Sequence, residues 1–319
     1  MASKSPNKPT TSSRARARAS ERLTLATPAL RLELAPGIGG GIARFDWLCG
    51  SEAVPLFRAA PSARVADPTE LACFPLLPFS NRIAHGRFAY DDREVEIAPN
   101  RSDERDPLHG SGWLEAWSVD DVGASHASIS LVERGSPYAF YAAQHFSLAD
   151  TALTIRVEIE NRGKIALPFG IGVHPFLPRT PQTLLLAPAM GVWQSGRDWL
   201  PTRRVRTPAA YSSGIAYPLP SRVVNHGFTG WIGRARVLWP EQGIALDVEA
   251  DTDQYLLYTP VGKDWFCFEP VDHPINAVNL SGGAVAHGMT ALAPGQRLER
   301  TFRFSVDLFG ALPLWRARR

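Results

Sequence analysis

Between Leu30 and Val306 the apolar residues recur mostly at every second position, in short runs, and hardly ever at every third or fourth. Leu30, Leu32 and Leu34 begin the pattern. Ile42 to Leu48, Ala127 to Glu133, Gln144 to Leu148 and Leu153 to Glu160 continue it. Ala235 to Trp239, Ile244 to Glu249, Gln254 to Thr259 and Leu298 to Val306 complete it. A period of two sends successive side chains to opposite faces, so each run reads as a strand with one buried face. No stretch supports a helix longer than two turns. Strands therefore do not alternate with helices, which excludes a βαβ architecture. The 27 prolines and 26 glycines supply the many turns that short strands need. The expected fold is all-β, a large antiparallel β-sandwich. Sandwiches of this kind run long as one unit, so 319 residues do not force a division into domains.

Two segments lack the pattern. Residues 177–230 are rich in Pro, Arg, Ser and Gly and read as a long excursion over one face. Arg87 to Tyr90 and Arg93 to Ile97, joined by Asp91-Asp92, read as a β-hairpin.

The net charge of +3 is carried by one end of the chain. Residues 1–22 hold Lys4, Lys8, Arg14, Arg16, Arg18 and Arg22 against the single acid Glu21. Setting those aside from the 34 basic and 31 acidic residues leaves a body with 28 and 30. A nucleic-acid binder carries its basic footprint on the folded domain, so nucleic acid is not an expected partner. Residues 1–22 have no apolar period and read as a disordered basic tail, with 23–319 as one domain. They contain no apolar core of a secretory signal, and no window approaches the length of a membrane span. Cys49, Cys73 and Cys267 are odd in number and widely spaced, and fit buried thiols in a reducing compartment. A cytoplasmic protein without membrane attachment is the expectation.

The chemistry concentrates at two strand ends. Trp265-Phe-Cys-Phe runs into Glu269-Pro270, and Leu167-Pro-Phe-Gly-Ile-Gly-Val runs into His174-Pro175. Proline cannot donate to a ladder, so each strand is expected to stop there and to present its ionisable residue at the mouth of one cleft. A carboxyl among aromatics is pushed towards its neutral form and becomes a plausible general base near pH 7. Equally, an edge-strand Glu can simply reach water. The apolar segment Cys73 to Phe79 carries Pro75 and Pro78, so it reads as a buried extended loop presenting Asn81 and Arg82. The donor fork of Arg82 suits a carboxylate or a sugar's vicinal hydroxyls, or pinning a loop through backbone carbonyls. His109 sits among Gly110, Ser111 and Gly112, small neighbours that would let a ligand approach closely. His109, His174 and Glu269 could also ligate a metal, but metal sites of that kind pair ligands closely on one strand, and these three lie far apart. The Gly39-Gly40-Gly41 run lacks the Lys-Ser/Thr of a phosphate loop.

Taken together in order, four stretches resemble the aldose 1-epimerase (galactose mutarotase-like) family. They are Asn81-Arg82-Ile83 with Gly86-Arg87-Phe88, Leu108-His109-Gly110 with Trp113 and Trp117, and Gly172-Val173-His174-Pro175-Phe176. The fourth is Glu269-Pro270 with His273-Pro274 and Asn276-Ala277. The resemblance covers residues 30 to 306. It implies the galactose mutarotase-like supersandwich, a hexose as small-molecule partner and no metal or organic cofactor. It implies that Glu269 is the general base and His174 the general acid of anomer exchange. His109, Arg82 and Asn81 would hold sugar hydroxyls. Asn225 stands where many members have Asp, which leaves the sugar preference open. A hexose-6-phosphate 1-epimerase is an alternative and would need arginines such as Arg58, Arg64, Arg87 and Arg179 to converge. A non-catalytic carbohydrate-binding or sensor protein is another.

Overall fold

The computed structural model describes residues 22–61, 65 and 67–309. Of the segment read as a basic tail, only Arg22 falls within them. It pairs with Glu33 at 3.1 Å and donates to the Pro61 carbonyl, and the rest of that segment lies outside the described residues.

Every strand pairing is antiparallel. Two large sheets dominate. A nine-stranded sheet is built around Arg297–Leu308, flanked by Ala152–Asn161 on one side and Ile244–Ala250 on the other. An eight-stranded sheet runs Pro201–Arg206, Gly191–Ser195, Val224–Thr229, Gln254–Thr259, Trp265–Val271, Gly172–Val173 and Pro75–Leu76, with Phe176–Pro178 also on Trp265–Val271. A four-stranded sheet from Leu23–Ala26 to Glu52–Pro55 and two hairpin-sized sheets complete the fold. Helices among the described residues are single turns. None is long and apolar enough to cross a membrane.

The period-two runs do what their pattern dictates. Ile155, Val157, Phe302 and Phe304 from the larger sheet meet Tyr255, Leu257, Phe266 and Phe268 from the other in one continuous core. Burying such side chains contributes about 1.5–3 kcal/mol each before entropy is counted. Cys267 and Val271, at alternate positions to Phe266 and Phe268, face the opposite way. They join a second, smaller cluster with Phe74, Leu108, Trp113, Phe176 and Leu256. That cluster is the floor of the site. All three cysteines are buried and none forms a disulfide.

Two expectations are corrected. Residues 177–230 are no excursion. Leu184–Leu186 and Tyr217–Pro218 extend the nine-stranded sheet, while Gly191–Ser195, Pro201–Arg206 and Val224–Thr229 extend the other. Strands of two or three residues are too short to show a period, and Pro201–Arg206 is an edge strand with mostly exposed side chains. Pro270 does not end its strand either, which continues to Val271. On that flank Cys267 pairs with Phe176 and Val271 with Gly172. The ladder is open in between, so a residue without an N–H loses no hydrogen bond there. The same opening is where His174 enters.

Candidate active site

A cleft of about 400 Å³ opens over the floor cluster, and all six residues singled out above line it: Asn81, Arg82, His109, His174, Asn225 and Glu269. Glu269 shares the face of Cys267 and Val271, so it points into the cleft and away from Phe266 and Phe268. The two phenylalanines beside it in sequence are thus not what desolvates it. The burial comes from the cleft wall, and Glu269 is 2% exposed.

His174 leaves the sheet immediately after Gly172–Val173. Its N–H donates to the Phe74 carbonyl at 2.9 Å, and its ring packs against Phe74 at 4.5 Å and Phe176 at 4.7 Å. This brings Nε2 to 3.4 Å from Glu269 Oε1. His174 Nδ1 and Glu269 Oε2 are buried and have no partner among the described residues. Orphaned buried polar atoms are rare and costly. Burial pushes Glu269 up to about 8 and His174 down to about 3. Between those values the pair binds one proton in total and is net neutral.

The Asn81 and His109 backbones lock together, both with left-handed φ near +55° to +58°. His109 N–H donates to Asn81 O at 2.8 Å, and Asn81 N–H donates to His109 Nδ1 at 3.0 Å. The second bond leaves Nε2 as the protonated nitrogen of a neutral ring. Burial first, then the nearby His174, Arg82 and Arg101, hold His109 well below the usual histidine range. Two non-glycine residues in this conformation cost energy, and such strain gathers at functional sites. Gly110 and Gly112 do not admit a ligand, contrary to expectation. A Cβ on Gly110 would meet the Leu77 carbonyl at 2.3 Å, so these glycines let the Pro75–Leu76 loop approach.

Arg82 is not free to fork onto a sugar. Its Nε and Nη2 donate to the two oxygens of Glu104 at 3.0 and 2.5 Å, leaving Nη1 beside Asn81 Oδ1 at 3.4 Å. Glu104 lies in a polar loop 22 residues on, and no local signal in the sequence joins the two. Behind this loop, the rest of the Glu269 motif acts as a clamp. Ser80 N–H donates to buried His273 Nε2 at 3.1 Å, while His273 Nδ1–H meets the Pro274 carbonyl. Asn276 accepts from Ala84 N–H and donates its own N–H to the Arg82 carbonyl. The segment that carries Glu269 thereby fixes the segment that carries Asn81 and Arg82.

Asn225 reaches the cleft from Val224–Thr229, opposite Tyr258 in the register. Phe74, Phe176, Trp199, Trp265, Tyr258 and Arg58 also line the cleft. Trp113 lies beneath, fully buried, stacked on Phe74 and bonded to the Leu108 carbonyl. Of the arginines considered for a phosphate, Arg58 alone reaches the cleft among the described residues. Arg87 pairs with Glu96 on the exposed hairpin, Arg179 donates to the Pro220 carbonyl, and Arg64 lies outside the described residues. His174, Cys267 and Glu269 bring ligating atoms within 4.8 Å of one another. Burial raises the Cys267 thiol well above its ordinary value, so the soft ligand of that set is held protonated.

The fold has counterparts among solved structures. A galactose 1-epimerase from Lactobacillus acidophilus NCFM aligns with 91% of this chain and 95% of its own at a TM-score of 0.72 and 14% identity, a likeness of fold. A crystal structure of a putative aldose 1-epimerase from Escherichia coli K12 aligns with 91% of this chain and 99% of its own, at a TM-score of 0.83 and 31% identity. The uncharacterized protein YphB of Escherichia coli K12 is 34% identical over 297 residues, 89% of this chain and 98% of YphB. The family model described as aldose 1-epimerase matches residues 21–305. The chain belongs to the aldose 1-epimerase family, whose fold is the galactose mutarotase-like supersandwich.

Proposed function

We propose that the chain interconverts the α and β anomers of a hexose by acid/base-catalysed ring opening, with Glu269 and His174 as the reacting pair. The observation that carries this is the pair itself. Two titratable groups stand 3.4 Å apart at the bottom of a cleft, and each keeps one buried polar atom without a partner among the described residues. A sugar's anomeric hydroxyl and ring oxygen, both bonded to C1, present a donor and an acceptor to such a pair.

The proton inventory suits the reaction. Ring opening needs a base for the anomeric hydroxyl proton and an acid for the ring oxygen. With Glu269 as carboxylate and His174 as imidazolium, opening moves one proton onto Glu269 and one off His174. The pair ends as carboxylic acid and neutral imidazole, still holding one proton. The C1–C2 bond rotates, and closure on the other face reverses both transfers. Burial favours the uncharged arrangement, so the resting pair matches the open-chain state. Sugar hydroxyls must supply the hydrogen bonds that let the charged arrangement form. His109 Nε2–H and the second proton of Arg82 Nη1 supply donors, and Asn225 offers both a donor and an acceptor. Trp199 and Trp265 present faces on which the apolar side of a pyranose can stack.

A pure sugar-binding protein has no use for a buried acid/base pair, which argues for turnover. Anomeric exchange followed by saturation transfer between the two H1 resonances tests the proposal. Exchange well above the uncatalysed rate is expected for at least one hexose. Its absence for all common aldohexoses, charged and uncharged, would overturn it.

A further inference from the structure

The charges that line the cleft do not cancel. Arg82 is matched by the fork of Glu104, and Glu269 faces His174. Asn225 and Tyr258 add no charge. Arg58 remains.

Its setting is specific. The guanidinium lies 3.9 Å from the Phe176 ring centroid and 5.1 Å from that of Trp265. One terminal nitrogen, Nη2, donates to the Thr69 and Leu71 carbonyls at 2.6 and 2.7 Å. That occupies two of the five N–H donors and leaves Nε–H and both protons of Nη1. Asp264 and Glu70 act on its charge from a distance, but no ion pair within 4.0 Å joins it to a carboxylate among the described residues. A guanidinium held against two aromatic faces, with three donors to spare on a cleft wall, is arranged to meet an anion.

Its position says which part of a sugar it can meet. The Phe176 ring is flanked by His174 at 4.7 Å and by Arg58 at 3.9 Å, so Arg58 stands one ring beyond His174. If His174 serves the ring oxygen, as proposed above, the next carbon away from the anomeric centre is C5, which bears C6. From this, and resting on that reading, we infer that the cleft takes a hexose with a single negative charge on C6, a carboxylate, and hence a hexuronate. A phosphate monoester carries about −1.5 to −2 at pH 7 and would leave charge unmatched by one arginine.

The test compares galacturonate and glucuronate with galactose, glucose and galactose 6-phosphate. It uses wild type, Arg58→Met and Arg58→Lys, with thermal melts to confirm folding. Saturation transfer gives kcat/KM for each sugar, and calorimetry gives affinity independently of turnover. A hexuronate is expected to exceed its parent hexose at least tenfold, the scale of a hydrogen bond to a charged group. That ratio should fall by about tenfold in Arg58→Met and less in Arg58→Lys. It should also shrink with added salt, which screens the charge. Equal or better use of the neutral hexose would overturn the inference. So would a preference for the phosphate, or a loss in Arg58→Met by the same factor for both sugars, which would make Arg58 only a pin for two carbonyls. If no sugar is turned over by wild type, the proposed function fails, while tighter calorimetric binding of hexuronate than hexose would still uphold this inference and its absence would sink it.

Discussion

Replacing Glu269 by Gln should make the protein more stable at alkaline pH while removing its activity. A carboxyl pushed up from 4.5 to about 8 keeps its proton in the folded chain where the unfolded chain has already released it. Its contribution is therefore whole below pH 4.5 and is lost as pH rises, until the folded group ionises near 8. At 1.36 kcal/mol for each tenfold in proton affinity, the loss sums to ~5 kcal/mol. Roughly 3 kcal/mol of it falls between pH 5 and pH 8. Glutamine is nearly isosteric and does not titrate, so the variant escapes that loss. His174 is common to both proteins, as is Asp272, which burial also raises, to about 6. Their contributions cancel in the difference. Urea unfolding of wild type and Glu269→Gln at the two pH values is the assay. The stability difference should move towards the variant by about 3 kcal/mol from pH 5 to pH 8. A difference constant to within ~1 kcal/mol would mean that Glu269 ionises at an ordinary pH and that its burial carries no penalty.

Three further outcomes are expected. The rate of anomer exchange should be level near neutrality and fall above about pH 8, where the Glu269–His174 pair loses its last proton; a rate still rising at pH 9 would contradict the one-proton pair. Glu104→Gln removes the charge that holds Arg82 in place, and KM should rise by roughly tenfold with kcat changed less, since a half-buried charge-assisted bond is lost. Steady-state kinetics would show it, and an unchanged KM would mean that Arg82 is oriented by Asn81 alone. His273→Ala leaves the buried Ser80 N–H without an acceptor and opens a cavity, so the melt should show a loss of about 3 kcal/mol. A loss under ~1 kcal/mol would show that the clamp on the Asn81–Arg82 loop does not depend on this ring.

The two-residue period carried the architecture because each long strand has one face in a shared core. Phe302 and Phe304 are legible from spacing alone, whereas Trp265 to Phe268 read as an aromatic run around Glu269, and the structure turns Phe266 and Phe268 into the core. Leu184–Leu186 and Tyr217–Pro218 are not legible, because two or three residues cannot display a period. Pro270 misled for a physical reason: proline is barred only where the ladder needs its N–H, and the flank beside Pro270 is open. Asn81, Arg82, His109, His174 and Glu269 could be named because each carries chemistry and stands in a stretch resembling one family, and Asn225 because it departs from that family's pattern. Glu104 was out of reach for the opposite reason, and Arg58 could be named only as one of four arginines considered for a phosphate. Their significance comes from partners brought near by the fold, Glu104 under Arg82 and Arg58 against Phe176 and Trp265. Gly110 was misjudged because small size licenses any close approach, and here the visitor is the Leu77 backbone.

The central claim is that Glu269 and His174 exchange protons with a sugar. Freshly dissolved α-glucose, α-galactose and α-galacturonate, followed by polarimetry with wild type and Glu269→Gln side by side, test it most directly. Wild type should speed equilibration of at least one of them, and the variant should lose that acceleration by 10²-fold or more, the scale of a positioned proton transfer. Equal acceleration by both proteins would contradict the role of Glu269, and acceleration by neither would contradict the activity.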